Sequence, residues 1–269
     1  MGNIQWAHLR GVLRLELRKS LFGRRALPIY AIGLLPLIPV VMFVLVSTAM
    51  GIPDEFKGSG GAFLFFVAVY EFILRFVVYF GCVWVFMNLF RGEVIDRSLH
   101  YYFLTPIRRE ALVFGKYFAG WLSATIVFGG STLVCFLIVY GYLDSGSASG
   151  AAPLPLLLQF VGVVALACLG YGAVFLVVGL FLRSLVVPAL VIFLLESANP
   201  VLPTFMKKIS VIFYLQGLRP LPPLDGPVRI ISEPVSVWIA VPGFVLFTAA
   251  TLVAAALRIR TMEIAYGNE

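Results

Sequence analysis

The chain has 269 residues, of which 61% are hydrophobic and only 12% are charged, and its mean hydropathy is +1.01. This composition excludes a water-soluble globular domain, because such domains carry about twice that share of charged residues. The net charge of +7 is interpreted as a determinant of membrane topology rather than as a signal for nucleic-acid binding. The long runs that are apolar on every face predict transmembrane helices, not the alternating strands of a β-barrel.

The N-terminal region, residues 1–26, precedes the first apolar run and predicts an amphipathic helix. Leu9, Leu13, Leu17 and Leu21 recur at every fourth position, and arginines run beside them. We expect this helix to lie along the inner membrane surface, with its basic side chains among anionic headgroups. A generic anchor and a specific docking role are both open. The pattern is not that of a cleaved signal peptide, so the first span is predicted to be retained.

Six apolar segments are long enough to be predicted as transmembrane helices. They are residues 27–50, 62–90, 116–142, 154–182, 185–202 and 235–257. With the N-terminus in the cytoplasm, most of the basic residues fall on the cytoplasmic side, which is the bias expected of membrane proteins. The sequence therefore predicts one transmembrane domain over residues 1–269, with both termini in the cytoplasm. The fifth segment is the weakest of the six.

The loop of residues 91–115, between the second and third spans, combines charged and aromatic side chains. A short helix is predicted from Glu93 to Leu104, ending before Pro106, because proline disfavours helix in the residue that precedes it. The mixture of apolar bulk and ion-pair partners suits the groove of a partner protein. The predicted partner-binding residues are Glu93, Asp96, Arg97, Leu99, His100, Tyr102 and Phe103. An amphipathic loop resting on lipid headgroups is the alternative.

The segment of residues 203–234, between the fifth and sixth spans, mixes short apolar pieces with prolines and glycines. These pieces are too short to span a membrane. They predict short helices that dip into the outer leaflet, because irregular backbone at membrane depth must be buried in protein or line a cavity. A plain extracellular loop is the alternative.

Three ionisable residues inside the predicted spans are candidate functional residues, because a charge in the hydrocarbon core is costly. Glu71 and Arg75 lie four residues apart on the second span, so they share a helix face and can pair. Glu196 lies in the fifth span. At 1.5 Å per residue, Arg75 lies about 24 Å above Arg91 and Glu196 about 20 Å above Arg183, so their depths match. We predict that Arg75 and Glu196 approach each other, either bracing two spans or closing a translocation path.

The remaining chemistry-bearing residues predict packing rather than a reaction. The three cysteines show no CxxC spacing, and the two histidines, His8 and His100, both precede or follow predicted spans on the cytoplasmic side. No catalytic residue and no metal site is therefore predicted. Glycines of the fourth span predict close helix packing. These glycines are Gly162, Gly170, Gly172 and Gly179.

Taken in their order along the chain, these sequence features resemble those of the membrane subunits of ABC-2 type transporters. The resemblance covers nearly the whole chain. It rests on the basic amphipathic helix, the six-span layout, the loop GEVIDRSLHYYFLTPIRREALVFGKYFAG and the segment FYLQGLRP in the long outer loop. It implies that Glu93 to Leu104 is a coupling helix seated in a separate ATPase subunit. It also implies that residues 199–218 form re-entrant outer helices.

The resemblance further implies how the complex is composed. No GxxxxGK[ST] motif occurs in the sequence, so ATP and Mg are expected in the partner ATPase and no cofactor is expected in this chain. Two copies of the chain, as a homodimer surrounded by membrane lipids, would pair with two ATPase copies; a pair of two different permease chains is the alternative. The expected location is the cytoplasmic membrane of a prokaryote, with no nucleic-acid partner.

These features favour the permease subunit of an ATP-driven exporter that is not itself an enzyme. Two other functions stay open at this point. An intramembrane lipid-modifying enzyme would need an acid–base or metal cluster, and only Glu93 and Asp96 with His100 offer one. A secondary transporter would show broken helices in matching halves of the chain, and no such repeat is obvious. The sequence does not indicate which substrate is carried.

Overall fold

The computed structural model describes residues 2–23, 26–51, 58–95, 109–143, 154–182, 186–198, 207, 210–218 and 236–260. Every regular element in these ranges is helical. The helices are α1 Gly2–Phe22, α2 Leu27–Leu34, α3 Leu37–Met50, α4 Gly58–Phe72, a π-helical segment Ile73–Val78, α5 Tyr79–Ile95, α6 Arg109–Leu143, α7 Leu154–Phe181, α8 Val186–Ser197, α9 Val211–Gln216 and α10 Val237–Arg260. The fold is that of an all-α membrane protein.

Among the described residues, five helical stretches are long and apolar enough to cross a membrane, and they correspond to five of the six predicted spans. They are Leu27–Met50, Phe63–Met87, Val113–Tyr142, Leu154–Phe181 and Val237–Ile259. The remaining predicted span, residues 185–202, is described only as α8, whose 12 residues give a length of about 18 Å. That is less than the roughly 30 Å of a hydrocarbon core. A sixth crossing therefore stays a prediction.

The first two spans are not uniform α-helices. The first is interrupted at Leu35 and Pro36, between α2 and α3, because proline removes a backbone donor and clashes with the preceding turn. The second span contains the π-helical segment Ile73–Val78, between α4 and α5. Such segments are rare and occur frequently at functional sites. This one contains Arg75, one of the three predicted intramembrane charges.

Helix α5 runs without a break from the second span into the predicted loop of residues 91–115. Helix α5 continues to Ile95 and α6 begins at Arg109, so Glu93 lies on the extension of the second span and not at the start of a separate helix. The other predicted partner-binding residues lie outside the described residues. These are Asp96, Arg97, Leu99, His100, Tyr102 and Phe103.

Helix α7 lies at the centre of the bundle and packs against α5, α6, α9 and α10. Two aromatic side chains of α6 hydrogen-bond to the backbone of α7 and fix the position of α6 along the α7 axis. The Tyr117 hydroxyl donates to the carbonyl of Leu169 at 2.6 Å, and the Trp121 indole nitrogen donates to the carbonyl of Ala165 at 2.9 Å. The tyrosine hydroxyl and the indole N–H thereby have hydrogen-bond partners inside the bundle, which is required because a bilayer core offers no water.

Close packing around the glycines of α7 is confirmed at three of the four predicted positions. A Cβ atom at Gly172 would lie 2.5 Å from the ring of Phe86, and Gly170 and Gly179 are also closely approached. A Cβ atom at Gly162 would meet nothing within 4 Å. Only the first three glycines are therefore needed for the approach of neighbouring helices.

Replacing Gly172 with alanine is expected to destabilise the bundle by about 1–3 kcal/mol, because the added methyl group must displace a ring in a packed core. The midpoint of thermal unfolding of the detergent-solubilised protein measures this change. Gly162→Ala is the matched control on the same helix and should leave the midpoint nearly unchanged. Equal effects of the two substitutions would show that the contact with Phe86 does not limit the packing.

Candidate functional site

In the described part of the chain, charged side chains lie among the apolar helices at several places, and at three of these the charged group has defined polar partners. One is the pair Glu71 and Arg75 in the second span. The second surrounds Glu196 near the end of α8. The third joins Glu16 of α1 to Lys116 of α6. Charged groups placed among the apolar helices of a membrane protein are candidates for function.

The Glu71–Arg75 ion pair forms as the four-residue spacing predicted. The Arg75 Nε atom donates to Oε2 of Glu71 at 3.1 Å. The side chains are 36% exposed for Arg75 and 30% exposed for Glu71. Arg75 is the midpoint of Phe63–Met87, about 18 Å from either end of that stretch. An ion pair that is open on one side at this depth needs a polar or protein environment, because hydrocarbon solvates charge poorly.

Aromatic rings next to this pair join the second span to α8. The ring of Phe193 lies 5.6 Å from that of Phe76 and 5.3 Å from that of Phe80. The Tyr79 hydroxyl donates to the carbonyl of Ala189 at 2.7 Å. Helix α8 is therefore held beside the π-helical segment, and Phe76 and Phe80 stay partly exposed on the surface there.

Glu196 is buried, with 8% of its surface exposed, and its carboxylate accepts four hydrogen bonds. Oε1 accepts from the backbone N–H of Val211 at 2.9 Å, and Oε2 accepts from the N–H of Ile212 at 3.1 Å. Oε2 also accepts from the Ser210 hydroxyl at 2.9 Å and from the Tyr171 hydroxyl at 3.2 Å. The carboxylate thus caps the start of α9, where backbone N–H groups have no partner within the helix. Glu196 thereby ties α8 to both α9 and α7.

Arg75 and Glu196 have separate partners, not the contact predicted between them. Phe193, about one turn before Glu196, contacts Phe76, the residue that follows Arg75. However, Arg75 binds Glu71 on its own helix, while the donors to Glu196 come from α7 and α9. Neutral donors, and not a cation, therefore hold the Glu196 carboxylate between the helices.

The ion pair of Glu16 and Lys116 was not found by sequence reasoning. The Lys116 Nζ atom donates to Oε1 of Glu16 at 2.9 Å, and both residues are buried. The pair docks α1 onto α6, which pack along each other. The sequence did contain a signal that Glu16 is buried. It is the one acidic residue within residues 1–26, and it shares a helix face with Leu13.

Other predicted site residues lie outside the part of the chain whose side chains are described. They include the acid–base cluster of Glu93, Asp96 and His100 that an enzyme would need. Among the residues that the structure describes, no group of three or more His, Cys, Asp or Glu side chains could hold a metal ion. Partner binding by this loop therefore stays a prediction.

Comparisons of the chain with protein-family models, with curated proteins and with solved structures find no match. The function is therefore inferred from the residues and their geometry.

Proposed function

We propose that this chain is the membrane-spanning permease subunit of an ABC-2 type transporter, driven by a separate ATPase subunit and acting as an exporter. Two copies of the chain form a homodimer and bind two ATPase copies. The complex lies in the cytoplasmic membrane of a prokaryote, with both termini of the chain in the cytoplasm. Six spans are needed for this arrangement, with residues 185–202 as the fifth crossing.

The observation that carries the proposal is the partly exposed ion pair of Glu71 and Arg75 at the midpoint of the second span. A charged residue that faces lipid at this depth raises the free energy of membrane insertion by at least about 2.5–3.5 kcal/mol. A second copy of the chain that covers this surface shields the ion pair from lipid. The pair then lies either in the dimer interface or beside a polar path between the two copies. A polar path at mid-membrane depth is what a transporter subunit requires.

The buried contacts suggest how movement passes through the bundle. Glu196 holds α9 to α7 and α8, and Tyr79 holds α8 to the second span. The second span continues as α5 into the loop that carries the proposed coupling helix. ATP binding in the partner shifts the balance between two arrangements of the dimer interface, and these packed helices move with the coupling helix.

Replacing both Tyr102 and Phe103 with glutamate is expected to abolish binding of the ATPase, because two charges are placed in an apolar groove of the partner. The ATPase activity that co-purifies with the tagged chain from native membranes measures the loss. Phe22→Glu is the control, since Phe22 is an exposed aromatic residue at the end of α1 and should leave the activity in place. Unchanged co-purification of the double variant would contradict the proposed role of the loop.

A further inference from the structure

The exposed side of the second span combines charge with aromatic rings. Phe76, Phe80 and Trp84 follow one another at four-residue spacing and are all exposed, so they lie along one side of the helix. Arg75, next to Phe76, is also partly exposed. These four residues are called the second-span stripe below. The stripe places a cation among aromatic rings on the outside of the bundle.

The stripe differs in composition from the exposed face of α10. In the middle of α10, the exposed large side chains are aliphatic, namely Val241, Val245, Leu246 and Val253. Lipid tails are as apolar as these side chains, so such a face is satisfied by lipid alone. Arginine and aromatic residues are instead enriched where proteins bind each other. The stripe therefore has the composition of a protein contact.

The charges beside the stripe indicate which protein fits. The Arg75 Nε atom binds Oε2 of Glu71 at 3.1 Å, so the guanidinium and the carboxylate lie side by side at one depth. Copies of one chain insert in the same orientation, and a twofold axis along the membrane normal brings their ion pairs to the same depth. In such a contact, a residue i that meets j of the other copy is matched by j meeting i. A cation beside an anion is therefore complementary to its own copy.

Arg75 has the hydrogen-bonding capacity for this contact. A guanidinium carries five N–H donors, and the bond from Nε to Glu71 uses one of them. Arg75 can therefore bind a second carboxylate without releasing the first. Arginine suits this role because its planar group binds carboxylates in fixed geometry and stacks on aromatic faces.

We propose that two copies of the chain meet along the second-span stripe, with Arg75 of each copy bound to the partner's Glu71 across a twofold axis. Phe76, Phe80 and Trp84 pack around the four charges and keep lipid away from them. The inference rests on the homodimer of the proposed function and specifies which face of the chain forms it. It places the ion pair in the dimer interface itself.

Two charge variants, co-expressed as full-length chains with tags of different mass, test the contact. Glu71→Arg makes both positions cationic, and Arg75→Glu makes both anionic. If the charges meet across the interface, each variant repels its own kind and attracts the other. Native mass spectrometry of the solubilised chains should then show mixed dimers in about tenfold excess over like-charged dimers, because like charges in contact disfavour the wrong partner.

Wild-type chains that carry the two tags are the control, and they should pair at random. Random pairing of the charge variants, with wild-type dimers present, would overturn this contact and leave the homodimer in place. Wild-type chains that stay monomeric would contradict the homodimer of the proposed function, and this inference with it.

Cysteine cross-linking tests the same contact without changing a charge. Phe76→Cys should give a disulfide-linked dimer when membranes are treated with copper phenanthroline, because Phe76 lies beside the proposed axis. Val245→Cys is the matched control, since Val245 is exposed in the middle of α10, and it should stay monomeric on non-reducing electrophoresis. The native cysteines are buried. Equal cross-linking of the two variants, or none at Phe76→Cys in a folded protein, would contradict the proposal.

Discussion

Replacing Lys116 with methionine is expected to lower the free energy of unfolding by about 3–5 kcal/mol, because it leaves a buried carboxylate without its cation. Methionine keeps the length and apolar stem of the side chain, so little packing is lost. The Glu16 carboxylate, bound at 2.9 Å by the lysine, then has to be solvated or protonated, and α1 separates from α6. Thermal unfolding and the rate of proteolysis within α1 both measure the change.

The double variant Glu16→Leu with Lys116→Met is the control for this prediction. It removes both charges, and apolar replacements of a buried ion pair are often neutral or stabilising. Much of the lost stability should therefore return. A double variant as unstable as Lys116→Met alone would show that lost packing, and not an unpaired charge, causes the defect.

Replacing Glu196 with methionine is expected to cost about 3–5 kcal/mol and to detach α9 from α7 and α8, because four buried donors lose one acceptor group. Two of these donors are backbone N–H groups that no side-chain substitution can remove. Thermal unfolding of the purified protein measures the cost. If the transport proposal holds, transport is also lost, because α9 no longer moves with the rest of the bundle.

Two further variants calibrate the effect at Glu196. Ser197→Met changes the adjacent residue, which is exposed, and should leave stability unchanged. Tyr171→Phe removes one donor and leaves three, so its cost should be about 1 kcal/mol. A cost for Tyr171→Phe equal to that of Glu196→Met would show that the tyrosine, and not the cap of α9, is the main contribution.

The fold could be predicted where a local property decides it. Hydrophobic length alone located the five long spans to within a few residues, since a bilayer of fixed thickness demands helices of fixed length. The interruption at Pro36 and the π-helical segment Ile73–Val78 were not predicted. Both depend on how backbone hydrogen bonds rearrange within a packed helix, which hydropathy does not report.

In the candidate site, contacts between residues close in sequence could be predicted, and contacts between distant residues could not. The pair of Glu71 and Arg75 follows from their spacing on one helix, and it was predicted. The partners of Glu196 could not be predicted, because they depend on where residues 210–212 return to α8. Lys116 and Glu16 are 100 residues apart, and no periodicity links positions so far apart in the sequence.

That separation has a consequence for the biogenesis of the protein. A ribosome adds about 5–20 residues per second, so about 5–20 s pass between synthesis of Glu16 and of Lys116. Throughout this interval the first two spans enter the membrane while α1 has no docking partner on α6. Docking of α1 onto α6 is therefore expected to be a late step of assembly, because Glu16 has no Lys116 to pair with until the third span is made.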